Sequence, residues 1–227
     1  MAIRLRLEQL SGWTVRRSPY VWAHFPPGSL LSADDAGELA RAFPTEGLRH
    51  TVRTDADGGD KRYDNWNLDV VTRDGKVDFS TLPGAWRAFA EELLDGRYLT
   101  GMLGLLHVPD QRDIRLEMRL TEYLPATWMD PHTDRPDKVF AHTFYFTDQW
   151  HDGDGGELAI LRSGCSDDVA ALVPPTIGSS AAFRRSAGSW HMVRPVAARA
   201  GVRRRALLVH GYRAVLDETG PSTTTRP

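Results

Sequence analysis

The residues best placed to do chemistry in this chain lie in the stretch Tyr123-Leu-Pro-Ala-Thr-Trp-Met-Asp-Pro-His-Thr-Asp134, and above all in His132-Thr133-Asp134. Side chains two positions apart at an extended strand end lie on the same side of the backbone. An imidazole at 132 and a carboxylate at 134 can therefore reach one metal ion. His191, in Ser189-Trp190-His191-Met192-Val193, offers a third donor. Two imidazoles and one carboxylate on one face of a metal leave the opposite positions open for substrates and O2, a donor set that suits non-haem Fe(II). His-x-Asp by itself is common among surface pairs, so its weight comes from the elements around it.

Those elements read mostly as strands. Asp113–Tyr123 alternates, with Leu116, Met118 and Leu120 forming an apolar face to pack on helices and Glu117, Arg119, Thr121 and Tyr123 sharing the other. After the tripeptide come an apolar strand, Val139–Thr147, and a Gly155-Gly156 turn leading into Glu157–Leu161. Gly178–Phe183, Val193–Val196 and the Arg-rich Gly201–Val209 follow. Ser32 offers the N-cap of a first helix, with Ala36, Leu39, Ala40 and Phe43 at helical spacing and Pro44 and Gly47 as its stop. A second helix has Pro83 near its first turn, a stripe of Trp86, Phe89, Ala90, Leu93 and Leu94, and Gly96 past its end. Residues 1–31 read as a strand or two and a turn at Pro26-Pro27-Gly28. Arg53–Asp64 reads as a polar, Gly-rich loop, either solvated or a lid.

At 227 residues the chain suits one domain: a support and lid region over 1–112, a strand-rich core over 113–216, and a tail over 217–227 with nothing to bury. Its net charge of -2, from 28 Lys and Arg against 30 Asp and Glu, gives no basic field that would attract nucleic acid. One cysteine, Cys165, cannot form an internal disulfide, and no long apolar run or signal segment is present, so a cytoplasmic protein is expected. Lysine is scarce, at positions 61, 76 and 138 only. Of eight histidines, His24, His50, His107 and His151 sit in turn-like contexts, and His142 and His210 fall inside strand patterns as core or lumen residues.

Taken together these pieces resemble the 2-oxoglutarate and Fe(II)-dependent oxygenases, in their prolyl-hydroxylase-like branch. The matching features are Tyr123 nine residues before His132, His132-x-Asp134, the strand ending Tyr145-Phe146-Thr147, the Gly-Gly-Glu-Leu strand, His191, and a basic residue beyond it, all between Arg115 and Tyr212. Asp137-Lys138 after the motif is similar to the bacterial small-molecule subgroup that contains free-amino-acid hydroxylases and halogenases. The resemblance implies a mainly β fold with flanking helices around a double-stranded β-helix (jelly-roll, cupin-like) core. It also implies iron held by His132, Asp134 and His191, with 2-oxoglutarate and O2 as cosubstrates. Related halogenases carry Ala or Gly where Asp134 stands, so the carboxylate implies hydroxylation.

A dicarboxylate cosubstrate needs a fixed cation for its far end, and a planar guanidinium binds it bidentately. Of Arg203, Arg204 and Arg205, the register of the resemblance selects Arg204, although its spacing from His191 is longer than family members commonly show; Arg203 and Arg205 then share the opposite face. Tyr123 and Tyr145 match family positions that contact the cosubstrate, or else serve as core aromatics. Glu117 and Arg119 inside a small barrel are costly unless paired or used. They either pair with each other or hold the ammonium and carboxylate of a small polar substrate, with Arg62 and Trp66 closing from the lid. The reading is an Fe(II)- and 2-oxoglutarate-dependent hydroxylase of a free amino acid or biosynthetic intermediate, releasing succinate and CO2. The alternatives are a protein prolyl hydroxylase with an open peptide groove, and a non-catalytic cupin-like metal-binding or sensor module.

Overall fold

The computed structural model of the chain describes residues 3–54, 61–197 and 202–214. The strands among them are β1 (Trp22–Phe25), β2 (Arg49–Arg53), β3 (Tyr63–Val71), β4 (Ile114–Tyr123), β5 (Met129–His132), β6 (Lys138–Tyr145), β7 (Leu158–Leu161), β8 (Val169–Val173), β9 (Ser180–Arg184), β10 (His191–Val193) and β11 (Arg204–Arg213). The helices are α1 (Ala33–Arg41), α2 (Gly84–Leu94) and α3 (Gly96–Leu105), preceded by a short 3-10 helix at Leu7–Gly12.

The strands follow the order β1-β9-β6-β11-β4-β3-β5-β10-β7-β8, with β2 on β3, and every named pairing is antiparallel. Four of these pairs share one pattern: β4 with β11, β5 with β10, β6 with β9, and β7 with β8. The segment 114–213 is thus one long hairpin ribbon wound on itself, which is a double-stranded β-helix. Winding puts β9, β6, β11 and β4 in one layer and β5, β10, β7 and β8 in the other. The layers meet through β3, where Tyr63 pairs with Met129.

Periodicity explains which face goes where. Leu116, Met118 and Leu120 of β4 are buried with Trp86, Phe89, Leu93, Tyr98 and Met102 of α2 and α3 in the main core cluster, so the helices cover the outer face of the long layer. β6 is buried along its whole length because one face meets those helices and the other faces the lumen. α1 begins as its cap dictates, the Asp35 amide donating to Ser32 Oγ at 3.0 Å.

One sequence expectation changes and two are extended. Gly96 lies past the end of α2, as expected, and also opens a further helix, α3, because the Asp95 carboxylate accepts the Arg97 amide at 2.9 Å and caps it. The stretch after the polar loop is not a lid but β3, and Arg49–Arg53 pairs with it as β2. Residues 1–31 hold one strand, β1, and the turn at Pro26, within the expected strand or two and a turn, and add a 3-10 helix before them. Residues 55–60 of the expected lid and the tail from 215 lie outside the described residues. Among the described residues no helix is long and apolar enough to cross a membrane.

Candidate active site

His132 ends β5, His191 opens β10, and the two are direct partners across that pair. Their ring centroids are 4.1 Å apart. Asp134, two residues beyond His132, brings Oδ2 to 4.0 Å from His191 Nε2, and donor atoms of the three residues lie within 4.8 Å of one another. Each imidazole is oriented by its own backbone: His132 Nδ1 donates to the Asp130 carbonyl at 2.8 Å and His191 Nδ1 to the Ser189 carbonyl at 3.0 Å. A carbonyl only accepts, so both rings carry the proton on Nδ1 and present an Nε2 lone pair.

Burial drives His132 well below the usual imidazole range, with His191 and the Lys61 ammonium adding to the effect, and lowers His191 to about 4. Both are therefore neutral ligands at neutral pH. Burial alone would raise the Asp134 carboxyl, but the Lys138 ammonium, 2.8 Å from Oδ1, overrides it and holds the group well below the carboxylate range. Its other oxygen, Oδ2, is buried without a hydrogen-bond partner among the described residues, a costly state unless a cation meets it. The residues thus fit a small dication: two neutral imidazole nitrogens and one bare carboxylate oxygen. Lys61 already places an ammonium 2.8 Å from His132 Nε2. That nitrogen has one lone pair, so Lys61 and a metal are alternative partners for it.

At the start of β11, Arg204 lies opposite Tyr123 in register and is only 2 % exposed. Its Nε donates to the Gly156 carbonyl at 2.6 Å, and its guanidinium stands 4.8 Å from the Tyr123 ring centre and 5.3 Å from that of Tyr145. Gly156 is needed there: its φ is +75°, and a Cβ would meet Arg204 Cδ at 3.1 Å. Among the described residues no carboxylate pairs with Arg204. The Tyr123 hydroxyl accepts from Asn65 Nδ2 at 3.0 Å, whereas the buried Tyr145 hydroxyl lies near the Arg204 guanidinium, and burial pushes it up to about 12. Arg203 and Arg205 face the other way and clamp Glu122 at 3.1 and 2.9 Å.

Farther along the same lumen face, Glu117 accepts from His210 Nδ1 at 2.9 Å. Arg119 donates to Asp69 at 2.6 Å and stands 3.6 Å from Glu117, so the anticipated Glu117–Arg119 pair is secondary to these two. Burial would raise Glu117, but the His210 hydrogen bond and nearby cations bring it down to about 2. Glu117, Arg119 and Asp69 line a cavity of about 560 Å³ together with Arg73, Asp74, Arg115 and Arg213. Arg73 stands 4.9 Å from the Tyr212 ring centre and Lys138 5.6 Å from the same ring, which links the cavity to the ligand cluster. Arg62 is placed elsewhere, bonded to Asp130 at 2.5 Å beside the metal motif. Trp66 lies on the opposite face of β3 from Asn65 and stacks on His50 at 4.0 Å, so it does not close over the lumen. His210 escaped sequence reasoning as a site residue, although it shares the parity of Arg204 along β11.

Residues 118–210 match the family pattern of the 2OG-Fe(II) oxygenase superfamily. No curated protein is similar enough in sequence to match the chain. Among solved structures, a prolyl-4-hydroxylase from Pseudomonas putida is similar at a TM-score of 0.57 and 21% identity, over 85% of this chain and 92% of that one. A prolyl hydroxylase from Trichoplax adhaerens, in complex with a hypoxia inducible factor oxygen degradation domain peptide fragment, is similar at 0.62 and 14%, over 91% and 90%. The epimerase SnoN from nogalamycin biosynthesis, in complex with Fe3+, alpha ketoglutarate and nogalamycin RO, is similar at 0.53 and 14%, over 94% and 91%. At these identities the likeness establishes the fold, and the matched family pattern spans β4 to β11 with all three candidate ligands inside it. The fold is thus that of solved 2OG-Fe(II) oxygenases, and the part of the chain that carries the three candidate ligands, residues 118–210, matches the pattern of that superfamily.

Proposed function

We propose that this enzyme hydroxylates a small charged molecule, a free amino acid or biosynthetic intermediate, with release of succinate and CO2. His132, Asp134 and His191 would hold the iron. Arg204 receives the far carboxylate of 2-oxoglutarate between the Tyr123 and Tyr145 rings, and the Tyr145 hydroxyl gives it a further donor. Bound iron supplies the oxidising chemistry with 2-oxoglutarate and O2. The chain's own part is to keep both imidazoles neutral, fix their tautomers, and exclude water from Arg204.

The observation that carries the small-molecule reading is the cavity beside Tyr212, whose lining mixes Arg115 and Arg119 with Asp69 and Glu117. Both signs of charge in one partly open cavity suit a zwitterion better than a neutral peptide backbone. A protein prolyl hydroxylase is the second reading, favoured by the likeness to the two prolyl hydroxylases. The test is a mass-spectrometric screen of amino acids, biosynthetic intermediates and proline-containing peptides, with Fe(II) and 2-oxoglutarate supplied and succinate measured. Products 16 Da heavier from a zwitterionic small molecule support the reading. Turnover confined to peptides replaces it with the second, and no 2-oxoglutarate consumption under any condition would leave a metal-binding module.

A further inference from the structure

Two of the chain's three lysines point their ammonium groups at candidate metal ligands, although arginine supplies nearly all its positive charge. We propose that Lys138 is a positioning residue that holds Asp134 as a single-oxygen ligand and so keeps the neighbouring coordination position open for the cosubstrate. The proposal rests on the iron-site reading above.

Lys138 Nζ donates to Asp134 Oδ1 at 2.8 Å, with the two side chains only 6% and 5% exposed. One carboxylate oxygen is thereby occupied, while Oδ2 has no hydrogen-bond partner among the described residues and faces His191. Arg185 Nε donates to the Asp134 carbonyl at 3.1 Å, so the residue is held at its backbone as well as at its side chain. The ammonium is itself fixed by the Tyr212 ring and by its short tether, the Lys138 amide donating to the Arg135 carbonyl at 3.1 Å.

The choice of lysine in an arginine-rich chain follows from geometry. An ammonium is a compact donor that engages one oxygen, whereas a guanidinium fork engages both oxygens of a carboxylate. A fork would compete with the metal for Oδ2. With no donor at all, both oxygens are free to chelate the metal, and the position that 2-oxoglutarate needs is lost. Removing Lys138 also removes a like charge from beside the dication, which strengthens metal binding. The two substitutions therefore act in opposite directions, whereas for a lysine that merely neutralises Asp134, arginine would substitute and methionine would not.

The experiment titrates Co(II), which does not react with O2 as Fe(II) does, into metal-free wild type, Lys138→Met and Lys138→Arg. It then titrates 2-oxoglutarate into each cobalt-loaded protein, reading coordination number from visible absorption. Lys138→Met should bind Co(II) at least as tightly as wild type and 2-oxoglutarate about 10- to 100-fold more weakly. Lys138→Arg should bind Co(II) about tenfold or more weakly. If Lys138→Met does not fold, as judged by thermal unfolding of the metal-free protein, Lys138→Gln takes its place with the same expectation. Unchanged 2-oxoglutarate affinity in the neutral variant, or an arginine variant equal to wild type, overturns the role of Lys138. Wild type that binds neither Co(II) nor 2-oxoglutarate refutes the iron-site reading itself, which separates the two failures.

Discussion

Replacing Arg204 by Ala should raise the 2-oxoglutarate requirement far more than the same change at either neighbouring arginine. Arg204 is 2 % exposed, lies between two tyrosine rings, and has no carboxylate partner among the described residues. Its loss removes a desolvated, charge-assisted contact worth on the order of 1.5 to 3 kcal/mol, or ~10 to 150-fold in affinity. Arg203, with a side chain 53% exposed, contributes only one of the two bonds to Glu122, and Arg205 remains when it is removed. An exposed pair of that kind is worth about 0 to 1 kcal/mol, and none of it bears on the lumen. Isothermal titration of 2-oxoglutarate into the metal-loaded proteins gives the affinities directly, and Arg204→Lys should fall between wild type and Ala because a point charge replaces the fork. Equal, small effects at 203, 204 and 205 would show that Arg204 is not the anchor.

Ala at either His132 or His191 should abolish turnover and sharply weaken metal binding; full iron binding in the double variant would sink the ligand assignment. Asp134→Gly should abolish hydroxylation and, with abundant chloride, leave at best a trace of chlorinated product by mass spectrometry; wild-type hydroxylation would move the third donor to another carboxylate. Lys61→Met should tighten Co(II) binding, because the ammonium 2.8 Å from His132 Nε2 no longer competes for that lone pair; unchanged or weaker binding refutes the competition. His142 is buried and its pKa falls to about 3 through burial alone. The unfolded chain therefore takes up a proton that the folded one refuses, so stability from this group is full above about pH 6.5 and declines as pH falls toward 3, by at most about 1.4 kcal/mol per pH unit. In urea titrations across that window His142→Leu should flatten the acid limb, and an equally steep limb in the variant would assign it to other groups.

Much of the architecture could be read from residues alone, and the misses have physical causes. β4 announces itself because one face is apolar and packed on helices. β3 does not: Asn65, Asn67 and Asp69 line a polar lumen, so the strand looks like the loop before it. α3 was hidden by Gly96, a residue equally at home after one helix and in the first turn of the next, and only the Asp95 cap decides between them. Within the site, strand parity separates Arg204 from its two neighbours, and the structure brings His132, Asp134 and His191 together. The partners that set their chemistry are long-range: Lys61 on His132, His210 on Glu117 and Arg185 on Asp134 join residues whose contacts no local spacing encodes.

The register that sets His132 directly against His191 also has a mechanical meaning. The ribbon between them runs out through β6, β7 and β8 and back through β9, so these neighbours in space are remote along the chain. A cation gripping both rings would cross-link the two sides of that ribbon as a rivet does, closing a loop of roughly 60 residues. In the chain-entropy description a link of that span removes about 4 kcal/mol of freedom from the unfolded state. Iron in such a position would fasten β5 to β10 as well as serve the reaction, and the fold and its chemistry would come loose together when it leaves.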